Sequence, residues 1–308
     1  MTISIVLSTY NGEKHIVEQL DSLKDQTISA DEVLICDDCS TDDTVKIIKN
    51  YIENHKLSNW SVTINNGNKG WKKNFYDLLI KAKGDIIFPC DQDDIWHLDK
   101  LEKMSEIMQN DPSILLLSSN YSPFYDGKGN TINLDQTDLD DSGRVYVPDF
   151  KRFFFYIRRP GCVYAINKSL ITYFKEFHDD RDPHDALLWR LAAMLGGLRL
   201  YAYSTIDFRR HSNNATGEKV RGYLKRKEQI DYYYNMLQRL ERFNSNYNKD
   251  KNENEYKIFK EYQKWIMYRK RLYIDRKLIY WFYLFKYRRL YWSIKSYFAD
   301  LIIFIKGK

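Results

Sequence analysis

The chain has 308 residues, of which 44% are hydrophobic and 16% aromatic, so it can bury a core in one large domain or two smaller ones. Its charge is divided: residues 1–218 hold 25 basic and 33 acidic side chains (net −8), and the remainder holds 23 and 9 (net +14). Four scattered cysteines exclude a disulfide scaffold, and no secretory signal pattern follows Met1, so we expect a protein of the reducing cytoplasm.

Apolar strand-like runs alternate with helical patterns in the first 119 residues. The predicted strands cover 2–8, 31–38, 60–66 and 84–90, and a last apolar run ends near Ser119. The predicted helices carry Ile16, Leu20 and Leu23 at helical spacing, begin at the capping-box-like "STDD" of Ser40, and span about 71–82 and 98–108. This alternation predicts an α/β fold whose mostly parallel sheet is flanked by helices.

Beyond residue 119 the pattern changes twice. Residues 120–150 are rich in turn-forming residues, and shorter elements return between 150 and 211. After Thr216 the composition shifts to Lys, Arg, Tyr and Trp with few Gly or Pro, which indicates long helices. We therefore predict two regions, 1–216 and 217–308, with a boundary near residue 217.

Polar residues follow each predicted strand, and in parallel sheets ligands bind at these carboxyl ends. The densest group is Asp91, Asp93 and Asp94 in "FPCDQDDIW". Carboxylates at i and i+2 repel each other unless a cation lies between them, so Asp91 and Asp93 are typical of a divalent metal site. Two alternatives stay open: a solvated acidic turn, or a phosphatase-like DxD, although that motif normally follows a first strand.

Several motifs together resemble family 2 glycosyltransferases of the GT-A fold. They are "VLSTYNGEKHIVEQLDSL", "EVLICDDCSTDDT", "NGNKGWKKNF", "GDIIFPCDQDDIW" and a later "HD", in order over about residues 1–215. "DQDDIW" is most similar to the bacterial rhamnosyltransferase branch. The resemblance implies a Rossmann-like GT-A domain at 1–216, with a nucleotide-sugar-binding half (1–119) and an acceptor half (120–216).

The resemblance also implies roles for individual residues. Donor-binding positions are Thr9, Asn11, Glu13, Asp37, Asp38, Asn68, Gly70, Lys72, Asp91 and Arg210. Asp93 and His211 would bind Mn²⁺ or Mg²⁺, which would stabilise charge on the departing nucleoside diphosphate. A solvated helix start remains the alternative for Lys72, and a structural histidine for His211.

The acceptor hydroxyl must lose a proton, so a general base is expected. The resemblance assigns this role to Asp185 in "DPHDALLW", and Asp182 is the second candidate. The alternative for Asp185 is that it caps the N-terminus of a helix. Asp94, Gly161 and His184 are expected on the acceptor side.

The tail from Lys264 to Lys308 holds 12 Lys or Arg and 14 aromatic residues against two acidic ones. Aromatic rings and cations favour an anionic bilayer surface, and the apolar runs of the tail are too short to span a membrane. We therefore expect the tail to lie on a membrane surface. The alternatives are nucleic-acid binding, which no motif supports, and a homodimer interface through the C-terminal helices.

These observations predict a metal-dependent inverting hexosyltransferase, peripheral at the inner face of the cell membrane. Its donor would be dTDP-L-rhamnose or, next, a UDP-hexose, and its acceptor a lipid-linked saccharide in bacterial capsule or other surface polysaccharide synthesis. A sugar nucleotidyltransferase and a noncatalytic membrane-binding partner protein are the alternatives.

Overall fold

The computed structural model describes residues 1–125, 140–210, 222–248 and 252–307. Its contacts divide the chain into a first unit, Met1–Pro148 with Ile157–Asn214, and a second unit, Asp149–Tyr156 with Ala215–Lys308. The predicted boundary near residue 217 lies outside the described residues. Residues 149–156 pack with the second unit, whereas their position in the sequence had assigned them to the first.

A mixed sheet forms the centre of the first unit. The strands are β1 (Ile3–Thr9), β2 (Glu32–Asp37), β3 (Trp60–Ile64), β4 (Ile86–Cys90), β5 (Ile95–Trp96), β6 (Leu116–Tyr125), β7 (Val145–Tyr146), β8 (Tyr164–Asn167) and β9 (Leu198–Arg210). Within the described residues their order is β3-β2-β1-β4-β8-β6-β9-β5, with β7 paired to β9. β8 runs antiparallel between β4 and β6, while the β1–β4 and β6–β9 pairings are parallel. This arrangement confirms the predicted α/β class.

Six longer helices flank this sheet. They are α1 (Ile16–Lys24), α2 (Thr44–Asn54), α3 (Trp71–Lys81), α4 (Lys100–Asn110), α6 (Lys168–Phe177) and α7 (His184–Met194). In α1 the predicted stripe of Ile16, Leu20 and Leu23 is buried. The predicted capping box at Ser40 is wrong, because α2 begins at Thr44 and Ser40 instead donates to the carboxylate of Asp37.

Strand register brings the polar strand ends together. Thr9 pairs with Asp37 at the ends of β1 and β2, and Leu7 pairs with Cys90 at the end of β4. Because these strands are parallel, the loops after Thr9, Asp37 and Cys90 leave the same edge of the sheet. The acidic turn Asp91–Asp94 therefore begins beside the two loops that the sequence assigned to a nucleotide.

The second unit is helical. It comprises α5 (Phe150–Phe153), α8 (Tyr223–Tyr247), α9 (Glu253–Ile274), α10 (Ile279–Leu284), a 3₁₀ turn (Phe285–Leu290) and α11 (Ile294–Lys306). Its core is aromatic: Phe155 stacks on Tyr262 with ring centroids 5.0 Å apart, and Trp265 meets the edge of Phe155 at 5.1 Å. Much of the aromatic tail is therefore core. Within the described residues, no helix combines the length and apolar character needed to cross a bilayer.

Candidate active site

The first two loops of the site are joined by the buried carboxylate of Asp37. It accepts hydrogen bonds from the hydroxyl of Thr9 at 2.8 Å, from the backbone N–H of Ser40 at 2.7 Å and from its hydroxyl at 2.6 Å. Asp37 has no exposed surface. Thr9 and Asp37, two of the residues predicted to bind the donor, thus lie beneath the loops and stabilise the conformation of the loops.

Asn11 and Glu13 stand at the surface of the same region. Asn11 has a positive φ of 48° and donates its N–H to the Ser40 hydroxyl at 2.8 Å. Its side-chain oxygen accepts from the N–H of Thr41 at 2.8 Å, and a Glu13 carboxylate oxygen accepts from the N–H of Asp43 at 3.0 Å. These contacts order the rim of the loop and leave both residues exposed to a ligand.

Asp38 shapes the third loop. Its carboxylate accepts from the side-chain amide of Asn65 at 2.9 Å, from the N–H of Lys69 at 2.8 Å and from the N–H of Gly70 at 2.7 Å. Gly70 has a φ of +80°, a backbone conformation that residues with a side chain rarely adopt. Its N–H also donates to the side-chain oxygen of Asn68 at 3.0 Å. Asp38, Asn68 and Gly70 are thereby brought together as the sequence predicted.

The two cations predicted to bind the donor, Lys72 and Arg210, lie on different elements of the first unit, α3 and β9. The Lys72 ammonium donates to the carbonyl oxygen of Arg181 at 2.7 Å. Arg210, at the end of β9, is largely buried, with its guanidinium carbon 5.4 Å from the Phe208 ring centroid. The predicted metal ligand His211 lies outside the described residues.

The acidic turn after β4 is fastened from both sides. The side chain of Gln92 accepts from the N–H of Tyr10 at 2.8 Å and donates to its carbonyl oxygen at 3.0 Å. Asp94 accepts from the N–H of Arg209 at 3.0 Å, and the Arg209 guanidinium donates to the carbonyl oxygen of Asp93 at 2.7 Å and pairs with Glu18. Backbone and side chain together hold the turn rigidly against β9.

Asp94 does not occupy the position that the sequence assigned to it. Its side chain has no exposed surface, so it has no face with which to contact an acceptor. Burial, together with the charges of Asp91 and Asp93, raises its pKa well above the ordinary range. Asp94 is an interior anchor of the turn.

Asp91 is only partly buried, and its surroundings shift its pKa strongly. Desolvation, followed by the charge of Asp93, raises its pKa to about 7, and the charge of Asp185 adds to the rise. One carboxylate oxygen of Asp91, one carboxylate oxygen of Asp94 and the sulfur atom of Cys162 all lie within 4.8 Å of one another. The charge of Asp93 opposes ionisation of Asp91, so a divalent cation beside these two carboxylates would relieve their repulsion.

A buried lysine lies under the same cluster. The ammonium of Lys100 donates to the carbonyl oxygen of Cys162 at 2.5 Å and stands 3.6 Å from the centroid of the Trp96 ring. Burial lowers its pKa to about 8, although the neighbouring Cys162, Asp94 and Asp91 oppose that shift. Lys100 is thus an internal counter-charge for part of the acidic turn.

Asp185 enters the site at the start of α7. The N-cap of this helix is Pro183, so the alternative that Asp185 caps it is wrong; its carboxylate instead accepts from the N–H of Ala186 at 2.7 Å. Asp185 is partly exposed, whereas the reserve candidate Asp182 is buried and accepts from the N–H of Asp179 at 3.0 Å. A base must reach substrate, and Asp185 satisfies that condition better.

His184 and Gly161 pack beside Asp185. A Cβ atom on Gly161 would lie 2.5 Å from the His184 Nε2 atom and 3.2 Å from the Asp185 Cβ atom, so only glycine allows this approach. His184 is 5% exposed and stacks on Phe75 at 4.1 Å, and burial lowers its pKa to about 4. The neutral imidazole therefore packs in the interior against Phe75 and Gly161, and its burial leaves little surface for the acceptor contact that the resemblance implied.

The sequence of the chain matches an established family across this site. Residues 4–164 match the profile of Glycosyl transferase family 2. The chain is also 31% identical over 235 residues to the dTDP-rhamnosyl transferase RfbG of Shigella flexneri, which covers 70% of this chain and 74% of RfbG. The chain belongs to glycosyl transferase family 2. This membership confirms the resemblance seen in its motifs.

Other relatives of this family 2 glycosyltransferase agree on the fold. Poly(ribitol-phosphate) beta-N-acetylglucosaminyltransferase TarS of Staphylococcus aureus is 33% identical over 119 residues, 38% of this chain but only 20% of TarS. The crystal structure of TarS residues 1–349 with UDP-GlcNAc superposes with a TM-score of 0.58 at 19% identity, covering 78% of this chain and 66% of that one. The mannosyltransferase PcManGT of Pyrobaculum calidifontis, with GDP-Man and Mn²⁺, gives 0.54 at 17% identity, covering 78% and 64%. The fold is GT-A.

Sequence reasoning overlooked three residues of this glycosyltransferase site that lie far along the chain from their partners, and also Gln92 within the acidic turn. Lys100 and Cys162 are separated by 62 positions, and Arg209 lies 115 positions from Asp94. No local motif marks any of them. Gln92 stands inside the quoted "DQDD", yet only the structure reveals its double hydrogen bond to Tyr10.

Proposed function

We propose that the protein is a metal-dependent inverting hexosyltransferase that moves a sugar from a nucleoside diphosphate donor to a lipid-linked saccharide. The observation that carries this proposal is the proximity of the acidic turn to Asp185: desolvation first, and then the charges of Asp93 and Asp185, raise the pKa of Asp91 to about 7. The acidic turn, which can bind a cation, therefore lies near Asp185, a carboxylate that can accept a proton. Bacterial surface polysaccharide synthesis, at the inner face of the membrane, is the proposed setting.

The donor proposal rests on the loops and on the relatives. Asp37 and Asp38 hold two loops at the sheet edge, and the exposed rim contains Asn11, Glu13 and Asn68. We favour dTDP-L-rhamnose, because RfbG is named a dTDP-rhamnosyl transferase and aligns with 70% of this chain. A UDP-hexose ranks next, since the TarS structure contains UDP-GlcNAc.

Mn²⁺ or Mg²⁺ is the proposed cofactor. The carboxylates of Asp91 and Asp93 would hold it, because both cations prefer oxygen ligands. The thiol of Cys162 is a weaker candidate, since burial raises its pKa well above the ordinary value and keeps it protonated. A bound cation would act as a Lewis acid that stabilises negative charge on the departing nucleoside diphosphate.

Asp185 is the proposed general base. Its carboxylate would accept the proton of the acceptor hydroxyl as that oxygen forms a bond to the anomeric carbon of the donor. The bond between the anomeric carbon and the diphosphate oxygen breaks, and its electron pair leaves with the nucleoside diphosphate. Attack from the face opposite the leaving group inverts the anomeric configuration.

A thermal-shift screen tests this function directly. The full chain is heated with dTDP-L-rhamnose, UDP-glucose, UDP-GlcNAc or GDP-mannose, each with Mn²⁺, with Mg²⁺ or with EDTA. A donor at about 100 times its Kd adds roughly 2.7 kcal/mol to the free energy of unfolding, which raises Tm by about 5–10 °C. Asp93→Ala should lose the metal-dependent part of this shift, whereas the control Asp111→Ala, on the far end of α4, should keep it. If no nucleotide sugar shifts Tm with either metal, the proposal is wrong.

A further inference from the structure

The last two helices of the second unit expose an unusual amount of apolar surface. Six large residues, which we call the outer face, each leave 48–58% of their surface exposed: Ile279, Phe282, Phe285, Ile294, Phe298 and Ile302. Single exposed apolar residues are ordinary, but a cluster of this size marks an interaction surface.

The orientation of α11 is fixed by its opposite side. Asp300 has no exposed surface and accepts from the Arg269 guanidinium at 2.6 and 2.9 Å and from the Tyr291 hydroxyl at 2.9 Å. Tyr297, one turn earlier, is also buried. With that side held in the core, Ile294, Phe298 and Ile302 must point outward, because residues at i, i+4 and i+8 share one face of a helix.

The aromatic residues of the outer face are connected across α10, the 3₁₀ turn and α11. Trp281 of α10 stacks on Tyr297 of α11 at 4.7 Å, and its ring lies 5.2 Å from Phe282 and 6.0 Å from Phe298. Phe285 meets the edge of Tyr297 at 6.1 Å. Half-buried Trp281 therefore joins Phe282 to Phe298 without a polar gap.

The exposed charges on the segment from Lys277 to Lys306 are all of one sign. The exposed charged residues between positions 277 and 306 are Lys277, Lys286, Arg288, Arg289, Lys295 and Lys306. The single carboxylate in that segment, Asp300, is buried and paired with Arg269. The cations of this segment, together with the apolar face, complement an anionic lipid surface, where apolar side chains enter the acyl boundary and cations meet the phosphates.

We propose that the outer face is the membrane-contacting surface of this enzyme and that it inserts shallowly into an anionic phospholipid leaflet. The inference rests on the proposed lipid-linked acceptor, and it restricts membrane contact to α10, the 3₁₀ turn and α11 of the tail. A second copy of the chain is a poorer occupant. A two-fold interface would bring two like-charged borders together, which costs free energy.

The test is co-sedimentation of the full chain with vesicles. Neutral phosphatidylcholine vesicles are compared with vesicles that also contain phosphatidylglycerol, at low and high salt. The test variant is Phe282→Ser with Phe298→Ser and Ile302→Ser. The matched control is Ile64→Ser with Leu98→Ser and Val147→Ser, three exposed apolar residues of the first unit. Donor binding and Tm are measured on the same samples.

We expect the natural chain and the control to bind phosphatidylglycerol vesicles, more weakly at high salt, and the test variant to bind more than tenfold more weakly with unchanged donor binding. Equal vesicle binding by the test variant would overturn the inference. The inference would also be overturned if the natural chain did not bind vesicles but sedimented as a dimer, and if the test variant sedimented as a monomer. Vesicle binding without any nucleotide-sugar binding would instead overturn the proposed function alone.

Discussion

The ammonium of Lys100 donates a hydrogen bond to the carbonyl oxygen of Cys162 at 2.5 Å inside the fully buried base of the acidic turn. Replacing it with the similarly shaped methionine removes the counter-charge of Asp91 and Asp94. We expect Lys100→Met to lower the free energy of unfolding by about 2–4 kcal/mol at pH 7.5. The loss should be smaller at pH 5.5, because Asp91, with a pKa of about 7, is then mostly protonated.

Urea denaturation at the two pH values measures this difference. Lys46→Met is the control, because that side chain is 71% exposed. An equal loss at both pH values would mean that Lys100 contributes packing and its hydrogen bond but no charge balance.

Cation binding should depend on the protonation of Asp91. A proton on this carboxyl competes with a metal, and the raised pKa of about 7 places the competition between pH 6 and pH 8. We expect Mn²⁺ to bind about tenfold more tightly at pH 8 than at pH 6, as measured by calorimetry. Asp91→Asn should weaken binding and remove the pH dependence, while Asp25→Asn, on an exposed position, should change neither. A pH-independent affinity in the natural chain would contradict this prediction.

The proposed base has a natural comparison three residues away. Asp185→Asn should reduce sugar transfer by roughly 10²–10⁴-fold, the usual contribution of a general base, with donor affinity nearly unchanged. Asp182→Asn keeps an oxygen that can accept from the N–H of Asp179, so it should retain transfer. The measurements are transfer rate and donor Kd for both variants. Loss of transfer in Asp182→Asn alone would exchange the two assignments.

The buried His184 should make stability depend on pH. Its folded pKa of about 4 lies below the ordinary 6.5, so the unfolded chain binds more protons between these values. The free energy of unfolding should therefore fall as pH drops from 6.5 to 4, by up to about 3 kcal/mol from this group. His184→Gln should flatten the curve in urea denaturation, whereas His55→Gln, on an exposed position, should not. An unchanged slope in His184→Gln would assign the effect to other groups.

Local sequence predicted the strands β1 to β4 of the first unit and the polar groups that follow them. Apolar runs that alternate with helical spacing are local signals, and β1 to β4 occur where these runs stand. The polar groups after each strand converge because parallel strands share one carboxyl edge. The sequence therefore places Asp91 and Asp38 at this edge, where their roles remain predictions. The family followed from several such motifs in order.

Local sequence could not decide which of these groups face a ligand. In the sequence Asp37 and Asp94 look like the partly exposed Asp91 and Asp93, yet both have no exposed surface. Burial depends on strands and helices that are distant along the chain, and so do the partners of Asp94 and Lys100. The pKa of Asp91 likewise reflects Asp185, which lies 94 positions later.

Composition by itself determined that the C-terminal region is basic, aromatic and helical. Only the tertiary structure separated its aromatic residues into two groups, because the same residue type can pack inward or outward on a helix. Tyr262, Trp265 and Tyr297 form the core, while Phe282 and Phe298 remain exposed. The buried pair of Arg269 and Asp300 fixes that choice for α11, since neither charge can leave the core without losing its partner.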